Sequence, residues 1–273
     1  MNDILGYKGK KVVITGAASG MGQAAAQLLV DLGAEVYALD IAEVSVPAAK
    51  AIKLDMKDPA TIDAALEALP AEIYALFNCA GVPNPPFSDQ DTVLINFVGL
   101  RYLTEALIPR ISTGGAIASI ASTAGMGWKP GLSLVNELLA LDNSFESAVQ
   151  WLQAHPEASG NAYGFSKQCI IVYTMSKAKE LAQREVRINC IAPSPTTSGF
   201  MDKLKGEGQM PGELIDLFLP SNGRYATGAE MGEALVLLNS RLASFISGNN
   251  LPVDYGYCAE VLMGQRDDLL GIS

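Results

Sequence analysis

The chain has 273 residues, of which 49% are hydrophobic and 18% are charged, and its formal net charge at pH 7 is −10. This composition is typical of a folded globular chain and excludes a disordered or collagen-like one. The negative charge argues against nucleic-acid binding, because no concentrated basic patch is present to meet a phosphate backbone.

The cysteines and the single histidine, His155, do not form a metal-ligand spacing, so we expect no metal site. The four cysteines are far apart, and most lie in apolar runs that favour buried free thiols. The sequence has no run of about 18 apolar residues and no cleavable apolar leader. We therefore expect a cytoplasmic protein that does not contact a membrane.

The first forty residues predict a strand, a glycine turn, a helix and a second strand. The β-branched run at 11–15 is typical of a buried strand, 23–32 has a helical composition, and 34–39 is a second strand-like run. About thirty residues is the length that a βαβ unit needs.

The alternation of strands and helices continues along the chain. We predict further strands at 51–54, 73–77, 116–120, 186–191 and 250–253, and helices at 59–69, 91–111, 163–183 and 228–239. This order predicts an α/β fold: one domain over residues 1–273 with a doubly wound parallel sheet, as in Rossmann folds. Two long segments interrupt it, an insertion at about 126–160 and a possible substrate loop at about 194–227.

The turn after the first strand is typical of a dinucleotide site. Gly16, Gly20 and Gly22 allow a tight turn and a close approach of the backbone to a pyrophosphate, which the helix N-terminus also attracts. Asp40 ends the second strand, where a carboxylate accepts hydrogen bonds from the adenosine ribose and repels a 2′-phosphate. The residues around it are uncharged, so the sequence favours NAD over NADP.

A second group of residues predicts acid–base chemistry. Tyr163 and Lys167 are four positions apart on a predicted helix and so share one face. A lysine cation and a nicotinamide ring are expected to stabilise the phenolate, which makes tyrosine a workable general acid–base. Ser122 follows a strand at the ligand edge of the sheet, and Asn96 lies inside a predicted helix, where its polar side chain is expected to orient water or Lys167.

These motifs together resemble the short-chain dehydrogenase/reductase family over nearly the whole chain. The matching segments, in the family's order, are TGAASGMG at 15–22, Asp40, LDM at 54–56, NCAG at 78–81, Asn96, SIAS at 119–122, YGFSK at 163–167 and IAPSPTTS at 191–198. The resemblance implies an oxidoreductase that transfers a hydride between an alcohol and a nicotinamide cofactor.

The resemblance also implies the roles of individual residues. The catalytic residues would be Asn96, Ser122, Tyr163 and Lys167. NAD would be bound by Gly16, Ser19, Gly20, Met21, Gly22, Asp40, Ile41, Asp55, Met56, Asn78, Ala80, Gly81, Ile120, Tyr163, Lys167, Pro193, Thr196 and Ser198. In this scheme Asp55 approaches the adenine, the segment at 78–81 steadies the sheet behind the cofactor, and Thr196 and Ser198 contact the nicotinamide amide.

The chain departs from the family pattern at several positions. Cys79 replaces the second Asn of a usual N-N-A-G, Ser194 replaces a Gly after Pro193, and Tyr255 replaces a Gly after the last strand. Tyr163 follows Ser122 by 41 positions, a longer spacing than in most of the family. With this insertion, the chain resembles the branch of the family that includes bacterial 3α-hydroxysteroid dehydrogenase/carbonyl reductase and coniferyl-alcohol dehydrogenase.

That branch implies a bulky apolar secondary alcohol, like a hydroxysteroid, or its ketone as the substrate. An aryl or coniferyl-type alcohol and a non-catalytic NAD-binding regulator are the alternatives. The expected pocket residues are Met126, Trp128, Phe200, Met201 and Leu204. We also expect a homo-oligomer, a dimer or a tetramer.

The insertion carries apolar residues at partly helical spacing. They are Leu132, Leu134, Leu138, Leu139, Leu141, Phe145, Val149, Trp151 and Leu152. They are expected either to pack on their own domain or to line a pocket or a subunit interface. Relatives usually pair through the Tyr-Lys helix and the helix after the fourth strand, and the insertion is expected to block that mode.

Overall fold

Seven parallel strands form the centre of this computed structural model, which describes residues 3–158, 160–206 and 210–273. The strands are β1 (Lys11–Thr15), β2 (Glu35–Asp40), β3 (Lys50–Lys53), β4 (Ile73–Asn78), β5 (Ile111–Ile120), β6 (Arg187–Pro193) and β7 (Asn250–Val253). They lie in the order β3-β2-β1-β4-β5-β6-β7. The predicted doubly wound fold is confirmed, and the strand order reverses between β1 and β4, where such sheets open a ligand crevice.

Helices flank the sheet on both faces. They are α1 (Gly20–Asp31), α2 (Pro59–Ala68), α3 (Asp89–Val93), α4 (Gly99–Leu107), α5 (Leu132–Ala140), α6 (Phe145–Ala154), α7 (Ala162–Ala182), α8 (Gly199–Lys205), α9 (Gly212–Asp216), α10 (Gly228–Asn239) and α11 (Tyr257–Leu262). Ser159 of the predicted insertion and residues 207–209 of the predicted substrate loop lie outside the described residues.

The prediction of one regular helix over 91–111 is wrong in two respects. A π-helical turn at Leu94–Val98 separates α3 from α4, and α4 ends at Leu107. The helix stops there because Pro109 has no N–H for the helical hydrogen bond. The chain then enters β5 five residues before the predicted strand 116–120, through a β-bulge opposite β4.

Side chains along the strands alternate between two apolar cores, one on each face of the sheet. Val13 and Leu76 belong to the core that includes the buried residues of α4 and α7. Val12 and Val36 belong to the core formed with α1 and α10. Both faces are therefore covered, as a parallel sheet requires.

The insertion forms two helices, α5 and α6, that pack over the face made by α4 and α7. The Arg101 guanidinium of α4 donates to the carbonyl oxygens of Leu138 and Leu141 at 3.2 and 3.0 Å. Trp151 of α6 stacks on Phe165 of α7, with 6.0 Å between ring centroids. The apolar side chains of the insertion are therefore part of the chain's own core, which was one of the two expectations for them.

Candidate active site

In the turn between β1 and α1, backbone atoms approach one another so closely that only glycine fits. Gly16 has a φ of +69°, and a Cβ there would lie 2.6 Å from the Ala80 nitrogen. A Cβ at Gly22 would lie 2.1 Å from the Gly16 carbonyl oxygen. The turn therefore sits directly against the end of β4, where the crevice opens.

The first turn of α1 presents backbone N–H groups to this crevice. Ser19 occupies the N-cap position, but its side chain makes no capping hydrogen bond. The N–H groups of Gly20, Met21 and Gly22 have no intrahelical partner, and the positive end of the helix dipole lies at the same place. An anion such as the pyrophosphate of a dinucleotide fits this position.

Asp40 lies at the end of β2, and its carboxylate is fixed by the neighbouring backbone. One oxygen accepts from Ala18 N and the other from Ala42 N, both at 2.9 Å. Ile41 beside it is 60% exposed, so its apolar side chain is open to a ligand. A ribose on the carboxylate and an adenine on the isoleucine would use both features.

Asp55 and Met56 follow β3, the strand that pairs with β2. The Asp55 carboxylate accepts from Lys57 N at 3.0 Å, and its backbone N–H donates to Thr61 at 3.1 Å. Met56 is buried, and its carbonyl oxygen lies so close to Gly99 that a Cβ there would be 1.9 Å away. The loop is thus held against the start of α4.

Asn78 points into the protein and not into the crevice. Its amide donates to Thr104 at 3.0 Å and to Ser119 at 3.2 Å, which joins β4 to α4 and β5. The Thr15 hydroxyl accepts from the backbone N–H groups of Cys79 and Ala80 at 3.1 and 3.2 Å. Sequence reasoning did not assign a role to Thr15, although the threonine stands in the quoted glycine motif.

Asn96 lies in the π-helical turn and is completely buried. Its side chain accepts from Val82 N at 2.8 Å and donates to Val82 O at 3.0 Å and to the Ser166 hydroxyl at 3.2 Å. It is also close to Gly81, where a Cβ would lie 3.2 Å from its oxygen and 3.7 Å from the Lys167 ammonium. Asn96 thus anchors the loop after β4 beside Lys167.

The structure brings Ser122, Tyr163 and Lys167 together at the carboxyl edge of the sheet. Ser122 follows β5, and its hydroxyl accepts from Ala124 N at 3.2 Å. Tyr163 is in the first turn of α7, and Ser122 is the polar side chain that acts on the pKa of its hydroxyl. The Lys167 ammonium lies one turn further, 5.6 Å from the Tyr163 ring centroid, and donates to Ile120 O at 2.9 Å.

Burial dominates the electrostatics of this group. It raises the pKa of Tyr163, against an opposing hydrogen bond from Ser122. It also lowers the pKa of Lys167 to about 8, because the side chain is almost fully enclosed and meets no carboxylate. In the protein alone, loss of solvation therefore sets the direction of the Tyr163 pKa, and the stabilisation of the phenolate by a lysine cation together with a nicotinamide ring stays a prediction.

The segment after β6 folds back onto the glycine turn. Pro193 ends β6, and the buried Thr196 hydroxyl donates to Ser194 O at 2.9 Å. Ser198 lies against the N-terminus of α1, where a Cβ on Gly20 would be 3.5 Å from the Ser198 Cβ. The predicted nicotinamide loop and the predicted pyrophosphate turn are therefore in contact.

Of the five predicted pocket residues, Phe200 is the one that the structure shows in contact with this group. Phe200 of α8 packs on the Tyr163 ring, with 5.6 Å between centroids. Met126 and Trp128, in the segment after Ser122, are partly buried against the main core. The ring of Phe200 thus brings the substrate loop directly over the candidate acid–base.

Two departures from the family pattern have structural consequences. Cys79 lies behind the glycine turn, where a Cβ on Gly22 would be 3.0 Å from its Cβ, and burial raises the pKa of its thiol to about 12. Tyr255 has a φ of +51° and is 72% exposed, so this side chain occupies a backbone conformation that glycine adopts more easily. Neither change removes a group from the site.

Within the described ranges, no three or more His, Cys, Asp or Glu side chains lie together as a metal site would need. In the same part of the chain, no helix combines the length and apolar character needed to cross a bilayer. Cys169, Cys190 and Cys258 are buried free thiols, as their apolar surroundings in the sequence suggested.

Comparisons with known proteins agree with this geometry. Residues 10–134 match a family model described as short chain dehydrogenase, and residues 148–258 match one described as Enoyl-(Acyl carrier protein) reductase. Coniferyl-alcohol dehydrogenase of Pseudomonas sp. (strain HR199 / DSM 7063) is 33% identical over 90% of this chain and 96% of its own length. The 3-alpha-hydroxysteroid dehydrogenase/carbonyl reductase of Comamonas testosteroni is 27% identical over 90% and 95%.

A solved structure supports the same assignment. The 3-alpha-hydroxysteroid dehydrogenase from Pseudomonas sp. B-0831, complexed with NADH, superimposes with a TM-score of 0.79 at 26% identity, covering 94% of this chain and all of the other. The chain therefore belongs to the short-chain dehydrogenase family, and it is an oxidoreductase that acts on alcohols or carbonyl compounds with a nicotinamide dinucleotide.

Proposed function

We propose that this enzyme uses NAD to interconvert a bulky apolar secondary alcohol, of hydroxysteroid type, and its ketone. The observation that carries the proposal is the position of Ser122, Tyr163 and Lys167 at the sheet edge, beside a glycine turn that fits a pyrophosphate. A substrate oxygen at this edge lies within reach of one hydroxyl donor and one acid–base group.

The preference for NAD rests on Asp40. Its carboxylate is fixed by two backbone N–H groups and has uncharged neighbours in Ala18, Ile41 and Ala42. A fixed carboxylate accepts from ribose hydroxyls and repels a 2′-phosphate, and no arginine or lysine adjoins it in sequence to reverse that effect.

Each residue of the site has a separate role in the reaction. Ser122 and Tyr163 hold the substrate oxygen, and the Tyr163 phenolate accepts the alcohol proton during oxidation. Lys167 stabilises the phenolate, and Asn96 keeps the adjoining loop in place through Val82. Bound NAD supplies the hydride acceptor and, because its nicotinamide ring is positive, a charge that favours the phenolate.

Without the cofactor, the pKa of Tyr163 is raised by burial. Both Tyr163 and Lys167 are buried, so each disfavours its charged form without a partner charge. A cation placed against the phenol lowers the cost of the phenolate. Acid–base competence is thus coupled to occupation of the cofactor site.

The apolar substrate class is supported by the walls of the cleft. Phe200 packs on the Tyr163 ring, and Met126 and Trp128 belong to the segment that follows Ser122, so aromatic and thioether side chains are available for an apolar wall. The relatives act on a hydroxysteroid or on coniferyl alcohol, as their names state. An aryl alcohol of coniferyl type is the second candidate, because the identities of 27% and 33% do not separate the two classes.

The test is a panel of hydroxysteroids and aryl alcohols, each assayed with NAD⁺ and with NADP⁺ through absorbance of the reduced cofactor. We expect the highest kcat/KM for a bulky secondary alcohol with NAD⁺. A clear preference for the aryl primary alcohol would select the second candidate, and a preference for NADP⁺ would contradict the role of Asp40.

We also propose that the enzyme is a homo-oligomer that does not pair through α4 and α7. The helices α5 and α6 already occupy that face, held by Arg101 and Trp151. At the opposite edge, β7 pairs only with β6 among the residues that the structure describes, and Phe245, Leu242 and Leu251 near it are exposed. Light scattering at micromolar concentration tests this, and a monomer would contradict it.

A further inference from the structure

The C-terminal tail, residues 264–273, folds back on itself around one carboxylate. Asp268 accepts from the backbone N–H groups of Leu270, Ile272 and Ser273 at 3.2, 2.9 and 2.9 Å, and from the Ser273 hydroxyl at 2.6 Å. These bonds hold the pKa of Asp268 well below its usual range. The last residues of the tail therefore form a closed turn and not an extended end.

This turn is attached to the protein by a buried side chain. Ile272 is only 7% exposed and packs in a small apolar cluster with Tyr257 and Val261. Met126 and Phe218 pack against the same cluster. Met126 follows Ser122 by four residues and Phe218 belongs to the predicted substrate loop, so the tail contacts both the segment after Ser122 and that loop.

The tail also touches the segment after Ser122 through its backbone. A Cβ on Gly127 would lie 2.0 Å from the Leu270 carbonyl oxygen. On the inner side of this segment, Gln168 of α7 donates to Gly127 O at 3.1 Å, and a Cβ on Gly125 would lie 2.7 Å from the Lys167 carbonyl carbon. The segment is thus held between α7 on the inside and the tail on the outside.

A third contact connects the tail to the substrate loop. Arg266 pairs with Glu260 at 2.9 Å and donates to Leu217 O at 3.2 Å. Glu260 in turn accepts from Ser221 N at 3.2 Å. The same loop carries Phe200 at its other end, packed on the candidate acid–base.

We propose that the C-terminal tail is a specificity-determining wall, which sets the width of the substrate cleft by holding Met126 and Phe218 in place. The inference rests on the proposed function, because it takes Ser122 and Tyr163 as the centre of the cleft. It adds that Ile272 and Asp268, far from that centre in sequence, position its outer walls.

The contacts separate this role from catalysis. Tyr163 and Lys167 are held by α7 and by Ile120 O, and none of these contacts passes through the tail. Loosening the tail therefore leaves the reacting groups in place. A small alcohol that touches only the centre is not affected, whereas a bulky alcohol that reaches the outer walls loses binding.

The experiment compares Ile272→Ala with Leu269→Ala, a matched truncation of an exposed apolar side chain in the same tail. For Ile272→Ala we expect kcat/KM to fall about tenfold for a bulky hydroxysteroid, through KM, and to stay within twofold for cyclohexanol. The Kd for NAD⁺ should not change. Asp268→Asn should act in the same direction, with Asp267→Asn as its control.

A readout independent of turnover uses the tryptophan next to Gly127. In a Trp151→Phe background, fluorescence comes from Trp128 alone. Ile272→Ala should shift its emission to longer wavelength, because the loosened tail admits water to the loop, and Leu269→Ala should not. An unchanged emission would overturn the contact between tail and loop.

The kinetic outcomes distinguish failure of this inference from failure of the proposed function. Equal losses of kcat/KM for both alcohols would show that the tail is merely structural and would overturn the inference. Wild-type enzyme that turns over neither alcohol would overturn the proposed substrate class and this inference together. Activity of the wild type on both alcohols with no change in the variants removes the inference alone.

Discussion

The cofactor half and the substrate half of this protein are built by different kinds of contact. In the cofactor half, glycines meet backbone atoms at distances that no Cβ tolerates, as at Gly16 and Gly22. In the substrate half, the walls are held by side chains and by the tail, as with Phe200 and Ile272. The first kind of contact dictates the residue type, whereas the second accepts many residues of suitable size.

This difference explains which half resists change. A cradle made of backbone can bind the same dinucleotide in any relative, because it uses N–H groups and not side chains. A wall made of replaceable apolar side chains can be rebuilt for another alcohol without moving the reacting groups. The following predictions test whether the two halves are separable in this way.

The largest effect on turnover is expected for Tyr163, which lies between the cofactor half and the substrate half. Tyr163→Phe removes the acid–base hydroxyl but keeps the ring that packs on Phe200. Turnover should fall between about a hundredfold and ten-thousandfold, while the Kd for NADH measured by fluorescence stays within threefold. Near-normal turnover in this variant would show that another group transfers the proton.

The next effect concerns the backbone cradle. Gly22→Ala forces a Cβ to within 2.1 Å of the Gly16 carbonyl oxygen, so the turn has to move away from the pyrophosphate position. The Kd for NAD⁺, measured by calorimetry, should rise about a hundredfold. Gly199→Ala is the matched control, because a Cβ there meets no atom within 4 Å. Equal affinity of the two variants would show that the turn is not the cradle.

The sequence predicted most of the sheet and the glycine turn because their constraints are local. All seven strands and the glycine turn follow from short patterns, and Asp40 follows from its place at a strand end. The start of β5 was missed because its first residues, around Gly114, have the composition of a turn. Short-range pattern and turn chemistry therefore account for both the success and the error.

The raised pKa of Tyr163 was not predictable from the sequence, for a different reason. The sequence shows that Lys167 lies one turn from Tyr163, but not that both side chains lose their water. Burial depends on the whole fold, so the direction of the Tyr163 shift was not available from spacing. The attachment of the tail to Gly127 was equally hidden, because it depends on a contact between residues more than 140 positions apart.

The third prediction tests the cost of burying Lys167. Its pKa is about 8 in the folded protein and 10.5 as a free group, so below pH 8 the folded state carries a charge that the unfolded state accommodates better. The shift corresponds to about 3 kcal/mol. In cofactor-free protein, Lys167→Met should raise the free energy of unfolding at pH 7 by about 2 kcal/mol. The gain is smaller than the cost of the shift because the variant leaves Ile120 O without its donor.

The stabilisation by Lys167→Met should depend on pH. Between pH 8 and 10.5 the unfolded state binds more protons at Lys167 than the folded state, so wild-type stability rises with pH over this window. The gain of the variant should therefore shrink above pH 8. Lys177→Met is the control, because Lys177 pairs with Glu105 and has a raised pKa, so its loss should not stabilise the protein. Urea unfolding at pH 7 and 10 distinguishes the two variants.

The smallest effect is expected at Asp40, because it decides between two cofactors that share the rest of the cradle. Asp40→Asn removes the negative charge but keeps one acceptor for Ala18 N or Ala42 N. The ratio of kcat/KM for NAD⁺ to that for NADP⁺ should fall about tenfold, the size of one charged hydrogen bond. Asp55→Asn should weaken both cofactors alike, because the contact that we propose for Asp55 is with the adenine, which both cofactors share. If the ratio fell equally in both variants, cofactor choice would be a property of general negative charge in the crevice and not of the residue that ends β2.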